Sequence, residues 1–188
     1  MLKNISYLKI LITALFCGLI GNSFGQSDNN EFGSKNSIYI EFIGEATPPF
    51  SIHYDRVIQN YNSFFLSINT GFGYFPSKEG FKESLIGIPI SLSCNIGKNK
   101  NYLEIACGFT YNSGFIQKTE MLNNEGSSTT IKSSILGSLR LGYRYQKPDG
   151  GFFFKLGLTP IFELIELNGK DLDYSSYLPF GIGLGFSF

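Results

Sequence analysis

From Ser37 onward almost every second residue of the chain is large and apolar, and the residues between are small or polar. A period of two marks β-strands with two unlike faces. In "SIYIEFIG", Ile38, Ile40 and Phe42 stand against Tyr39 and Glu41; in "FSIHYDRVI", Phe50, Ile52 and Tyr54 stand against Ser51, His53 and Asp55. "NSFFLSINTGFGYF" sets Phe64, Leu66, Ile68, Phe72 and Tyr74 against Ser67, Asn69, Gly71 and Gly73. "SLIGIPISLSCNIG" sets Ile86, Ile88, Ile90, Leu92 and Ile96 against Gly87, Pro89, Ser91, Ser93 and Asn95. The second half continues with "NYLEIACGFTY", "SSILGSLRLGYRYQ", "GFFFKLGLTPIFEL" and the closing "LPFGIGLGFSF", where Leu178, Phe180, Ile182, Leu184, Phe186 and Phe188 alternate with Gly181, Gly183, Gly185 and Ser187. The pattern predicts eight strands.

Eight alternating strands describe soluble ligand-binding barrels as well as membrane ones. The smaller face decides between them. A lumen of eight strands is narrow, and Gly, Ser, Thr and Asn fill it with a few larger groups such as Tyr39, Phe65 and Phe153, so the bulky residues must point outward. An outer wall so apolar far exceeds the patch a soluble monomer tolerates, and it matches a lipid-facing band. The expectation is an all-β, eight-stranded antiparallel up-and-down transmembrane β-barrel over 37–188.

The connections agree. Counted from an N-terminus on the periplasmic side, "IQNYN", "GKNKN" and "KPDGG" are short and turn-rich, as alternate hairpins should be. Opposite them lie the brief "GEATPP", then "PSKEGFKE", the long "NSGFIQKTEMLNNEGSSTTI" and "IELNGKDLDYSS". Pro89 and Pro160 fall in central runs, where a missing N–H is unwelcome, and predict bulges or rim positions.

Composition sharpens the reading. The chain has 22 Gly, 19 Phe and 11 Tyr, and only 16% of its residues are charged, against about 25% in soluble domains. A formal net charge of zero leaves no footprint for nucleic acid and no polybasic patch for anionic lipid.

The N-terminus reads differently. Lys3 and Lys9 precede an apolar run from Ile10 to Ile20, and "GNSFGQ" then supplies small residues around a cut after Gly25. A run this short suits a secretory signal rather than a membrane span, so 1–25 is expected to be a signal peptide and 26–36 a flexible lead-in. Acylation at Cys17 is disfavoured by the bulky Phe16 before it. Cys94 and Cys107 flank one turn on the outward face, where a hairpin disulfide is conceivable and a pair of small lipid-facing side chains is simpler. A terminal Phe on the closing strand looks like the signal that outer-membrane barrels offer to their assembly machinery, which assigns that role to Phe188.

"YLEIACGF" and "LGYRYQKPDGGFFFKLGLTPIF", with the closing strand, resemble the small outer-membrane β-barrel proteins (OmpA-like) of Bacteroidetes-type bacteria. The likeness runs from "IYIEFIG" onward; Lys155 and Gly183 depart from it, where Arg and Ser are common. It implies an exported barrel and no particular activity.

The inward charges are the candidate chemistry: Glu41, Asp55, Glu104, Arg140, Arg144, Lys155 and Glu163, with His53 beside them. Strand direction puts all but Arg140 and Glu163 toward the periplasmic half. Opposite signs in a narrow, partly dry lumen offset one another's desolvation and predict a salt-bridged plug. A ring of such charges around a narrow pore is the competing arrangement.

An enzyme reading, after the small barrels that modify membrane lipid, would need His53 with Ser51 and Asp55. Alternate residues of one strand lie nearly 7 Å apart, which predicts no relay between them. One histidine and no cysteine cluster argue against zinc. "GFGYF" leads into no helix that could seat a phosphate, and "NGKDLDY" needs no calcium to explain it. No cofactor is therefore expected. The expected partners are the lipid bilayer, the barrel-assembly machinery during insertion and, through the 112–131 loop, another envelope protein. Three classes follow in order: a non-catalytic barrel that anchors or serves an envelope assembly, a lipid-modifying enzyme, and a narrow pore.

Overall fold

The computed structural model describes residues 33–76, 83–118, 128–168 and 180–188, with residues 1–32 and three connections outside that range. Nine segments form: β1 (Asn36–Phe42), β2 (Phe50–Asn60), β3 (Phe64–Phe75), β4 (Glu83–Lys98), β5 (Asn101–Lys118), β6 (Ser128–Gln146), β7 (Gly151–Leu158), β8 (Ile161–Asn168) and β9 (Phe180–Ser187). From β1 to β7 each is antiparallel to the next in sequence. β9 then joins β7 to β1, from Ser37 against Ser187 to Phe42 against Ile182. Backbone bonds between Asn36 and Phe188, 2.8 and 3.0 Å, finish the seam.

β7 and β8 are two halves of one stave, because both pair with β6. The fold is thus a closed, eight-stranded, all-antiparallel barrel. The break falls at Thr159 and Pro160, where proline has no N–H to give the ladder, and the Leu139 N–H is taken up by the Pro160 carbonyl at 3.1 Å. Pro89 behaves differently from the bulge or rim position expected of it. Its strand stays in register with β5, Pro89 opposite Thr110, while pairing with β3 lapses between Thr70/Ile90 and Gly73/Gly87. The Thr70 hydroxyl donates to the Pro89 carbonyl there, 3.1 Å.

The alternation resolves into two surfaces. Ile38, Ile40, Ile52, Phe72, Ile90, Leu103, Leu141, Phe152 and Phe186 are exposed on the outside, whereas Tyr39, Phe65, Phe153, Ser67 and Asn95 are buried within. β9 shows why the inner face of the closing strand is nearly all glycine. A Cβ at Gly183 would fall 2.8 Å from Lys155 Cγ and 3.0 Å from Tyr39 Cδ2, and one at Gly185 would collide with the Ile38 carbonyl and Tyr39 itself. The glycines are the room into which Tyr39 and Lys155 fit.

The wall is uneven in height. β5 and β6 run to 18 and 19 residues, paired from Asn101/Tyr145 to Lys118/Ser128. The expected loop over 112–131 is accordingly strand at both ends, with 119–127 outside the described residues. "NSGFIQK" keeps pairing with β6 although its polar composition resembles a loop. The lead-in is tied down where it is described: Ser34 N–H donates to Pro148 O at 2.7 Å and Val57 N–H to Lys35 O at 2.8 Å. A bulge at Ile58 shifts the β2–β3 register between Val57 and Gln59.

Candidate functional site: the charged lumen

The interior is filled in three layers, each set by inward positions of several staves. At the end nearest the 147–150 turn, Arg144 reaches across from β6 to Asp55 on β2. Nη2 lies 2.6 Å from Oδ1 and Nη1 3.1 Å from Oδ2. Nη1 also donates to Ser67 Oγ at 3.1 Å, while Nε and Nη2 donate to Gln146 Oε1 at 2.9 and 2.6 Å. The guanidinium lies over Phe65 and Phe153, 5.1 and 4.9 Å from the ring centroids. A planar fork over aromatic rings, with its donors spent on carboxylate, hydroxyl and amide oxygens, is an arrangement in which a buried Arg is well compensated.

The middle layer is aromatic. Tyr39 stacks on His53 at 4.9 Å and on Phe153 at 5.0 Å, and Lys155 Nζ sits 4.6 Å above the Tyr39 ring. The same ammonium meets Glu104 Oε1 at 3.5 Å.

The third layer holds the most negative charge. Arg140 Nη2 is in contact with Glu41 Oε1, and Arg140 Nε lies 3.4 Å from Glu45 Oε1. Glu45 belongs to the β1–β2 connection, residues 43–49, which folds down into the mouth: Glu45 is 2% exposed and Ala46 0%. Its carboxylate accepts from Asn69 Nδ2 at 3.1 Å and Ser91 Oγ at 2.8 Å, and its carbonyl accepts from Thr110 Oγ1 at 2.6 Å. The Ala46 carbonyl lies where a side chain on Gly87 would be, and Pro48 packs 3.0 Å from the space over Gly73.

Of the residues singled out in the sequence, Glu41, His53, Asp55, Glu104, Arg140, Arg144 and Lys155 are all buried in this interior. Glu163 is not among them. It sits on β8, which pairs with β6 alone among the described segments, so it is exposed at the rim rather than enclosed. Glu41 also departs from the expectation of a periplasmic-half position, since its partner Arg140 lies in the layer farthest from the 147–150 turn. Glu45 was missed because "GEATPP" has the composition of an outer turn. The inner-face glycines Gly73 and Gly87, which leave space beside it, are the only trace of its place in the sequence.

A second correction concerns His53. Ser51 Oγ lies 2.8 Å from His53 Nε2 despite the strand spacing. The side chains lean toward one another along the strand and close a gap that the backbone separation leaves open. Asn69 Oδ1 is 3.3 Å from Nδ1, and Glu41 Oε2 is 3.4 Å from Nε2. Asp55 instead serves Arg144. The pair is sealed: Ser51 is 6% and His53 2% exposed, both under the folded-in connection. Cys94 and Cys107 are free thiols on neighbouring staves; Cys94 pairs with Ile105 and Cys107 with Leu92. Phe188 is exposed on the outer wall. No group of three or more metal-ligating side chains occurs among the described residues.

No family model matches the sequence, and no curated protein does, so the likeness to Bacteroidetes-type barrels gains nothing from either comparison. Among solved structures the chain is similar to the N-terminal β-barrel domain of Pseudomonas aeruginosa OprF, at 12% identity and a TM-score of 0.46, over 82% of this chain and 96% of that one. It is also similar to Neisserial surface protein A, at 10% identity and a TM-score of 0.42, over 82% and 91% of the two chains.

Proposed function

We propose that this chain is a non-catalytic integral barrel of the outer membrane, with a lumen closed by its own ion pairs and a role in anchoring or in an envelope assembly. The observation that carries the reading is the inversion of its surfaces. Ile40, Phe50, Ile52, Phe109, Leu141 and Phe186 are each 50% or more exposed, while Arg144, Glu41 and Asp55 are at most 1% exposed. A wall of this kind is stable only where hydrocarbon replaces water. Export fits the signal-like 1–25 stretch.

Partner contact is assigned to the tall β5–β6 hairpin. Eighteen residues at about 3.3 Å each extend about 60 Å, so even when tilted the hairpin outruns a hydrocarbon core of about 30 Å. The test is the native size of the protein extracted in mild detergent from its own membrane, with co-purifying chains identified by mass. A stoichiometric partner lost on trimming residues 115–131 supports the assembly role. Recovery in the soluble fraction overturns the membrane reading, and a porin-size conductance from the purified protein overturns the closed lumen.

One observation favours the enzyme alternative, the 2.8 Å contact between Ser51 and His53. Their burial counts against it, because Ser51 is 6% and His53 2% exposed and neither side chain is open to a lipid ester as the barrel stands.

A further inference from the structure

The β1–β2 connection occupies the barrel mouth in a way that its own constraints make imperfect. Ile43 and Thr47, on either side of Glu45, hold φ of 46° and 65°. Both are β-branched, and residues of that kind in the left-handed region are strained. What the strain secures is one carboxylate among donors: Asn69 Nδ2 at 3.1 Å, Ser91 Oγ at 2.8 Å and, less well, Arg140 Nε at 3.4 Å. Arg140 is 2% exposed, and its Nε and Nη1 make no hydrogen bond among the described residues. The fork is thus only partly used by its resident acceptor. Beneath it, the Phe65–Phe153–Arg144 layer closes the bottom, so lifting the connection would uncover a pocket open at one end.

We propose that the mouth is a binding site for small carboxylates, with Glu45 as its built-in occupant. A free carboxylate takes the Asn69, Ser91 and Arg140 donors without the backbone strain that Glu45 carries, and the 43–49 connection lifts as it binds. Thr110, which now donates to the Glu45 carbonyl at 2.6 Å, is released to hydrate or to hold a second ligand oxygen. The donor set fixes the ligand class, since Asn amide, Ser hydroxyl and guanidinium together serve planar oxygen acceptors. The site rests on the closed-lumen reading. Conductance of unmodified protein would remove that reading, whereas the measurements below address this one alone.

Full-length protein with its native cysteines replaced and Ala46→Cys introduced places a thiol on the connection where the structure leaves no exposure. Labelling by a water-soluble maleimide should be slow, and should accelerate several-fold to a plateau with acetate or succinate but not with chloride at equal ionic strength. In a second protein, Glu45→Ala removes the resident carboxylate, and acetate, which replaces its lost atoms, should raise the thermal midpoint saturably. If Ala46→Cys does not assemble, Pro48→Cys, also buried on the connection, carries the same assay. Labelling that ignores carboxylates, or rises equally in chloride, together with a Glu45→Ala midpoint indifferent to acetate, would make the connection a fixed part of the wall and overturn the proposal.

Discussion

Arg140 of β6 meets Glu41 of β1, 99 residues earlier in the chain, with both side chains out of reach of solvent. The contact spans the interior between staves that are not neighbours, so it braces the barrel where the backbone ladder cannot. Removing one partner leaves a buried charge without its counter-charge, a change that costs about 3–5 kcal/mol. Arg140→Met should therefore lower the urea or thermal midpoint in detergent substantially. Arg140→Met with Glu41→Gln should recover part of the loss, but not all of it, because Glu45 still lacks its cation. Equal stability of the single variant and the unmodified protein would show the lumen to be hydrated enough to screen the pair.

The closing seam makes a steric prediction. A Cβ on Gly185 would meet the Ile38 carbonyl and Tyr39, whereas one on Gly114 finds its nearest neighbour, Leu85 Cδ1, at 3.8 Å. Gly185→Ala should reduce the yield of folded barrel and Gly114→Ala should not. Folded and unfolded fractions separate on an unheated gel, and equal fractions for the two variants would contradict the packing at Tyr39.

How far the sequence reaches is clear from particular residues. Alternation placed Ile38, Phe72 and Leu141 outside and Asp55, Arg144 and Lys155 inside, because a period of two admits only one assignment once the lumen is too narrow for the large set. Pro160 marked a real break. What escaped is what alternation does not encode. Glu163 keeps the inward parity, yet its segment pairs with β6 alone among the described residues and leaves it exposed. Glu45 lies in a connection, where no periodicity speaks. The Ser51–His53 contact depends on side-chain lean rather than backbone spacing. Residues 112–118 look polar enough for a loop and pair as strand all the same.

The thiols report the surroundings of the wall. Cys107 is exposed and Cys94 half-buried, both unbridged and on outward positions. In reconstituted vesicles Cys107 should react with a lipid-soluble maleimide and resist a charged, water-soluble one, with the preference lost after solubilisation in denaturant. Gel mobility should be the same with and without reductant. Rapid reaction with the charged reagent in vesicles would place that part of the wall in water and count against the membrane reading.

The last prediction separates the structural from the catalytic use of His53. If the residue is part of the lumen packing, His53→Ala should cost stability by losing the stack on Tyr39 and the partners of Ser51 and Asn69, at about 1–3 kcal/mol for the polar groups left unpaired. Ser51→Ala should cost less, since it removes one hydroxyl and leaves the ring in place. Neither should alter the acyl-chain pattern of the membrane lipids, measured by mass spectrometry on cells carrying the unmodified protein, each variant or no copy. A nucleophile would give the opposite ranking: Ser51→Ala would abolish a lipid change made by the unmodified protein while leaving the barrel nearly as stable. Such a loss at Ser51, matched at His53, would establish that the 2.8 Å contact is reached by substrate after all, and that the mouth above it opens wide enough to admit an acyl ester.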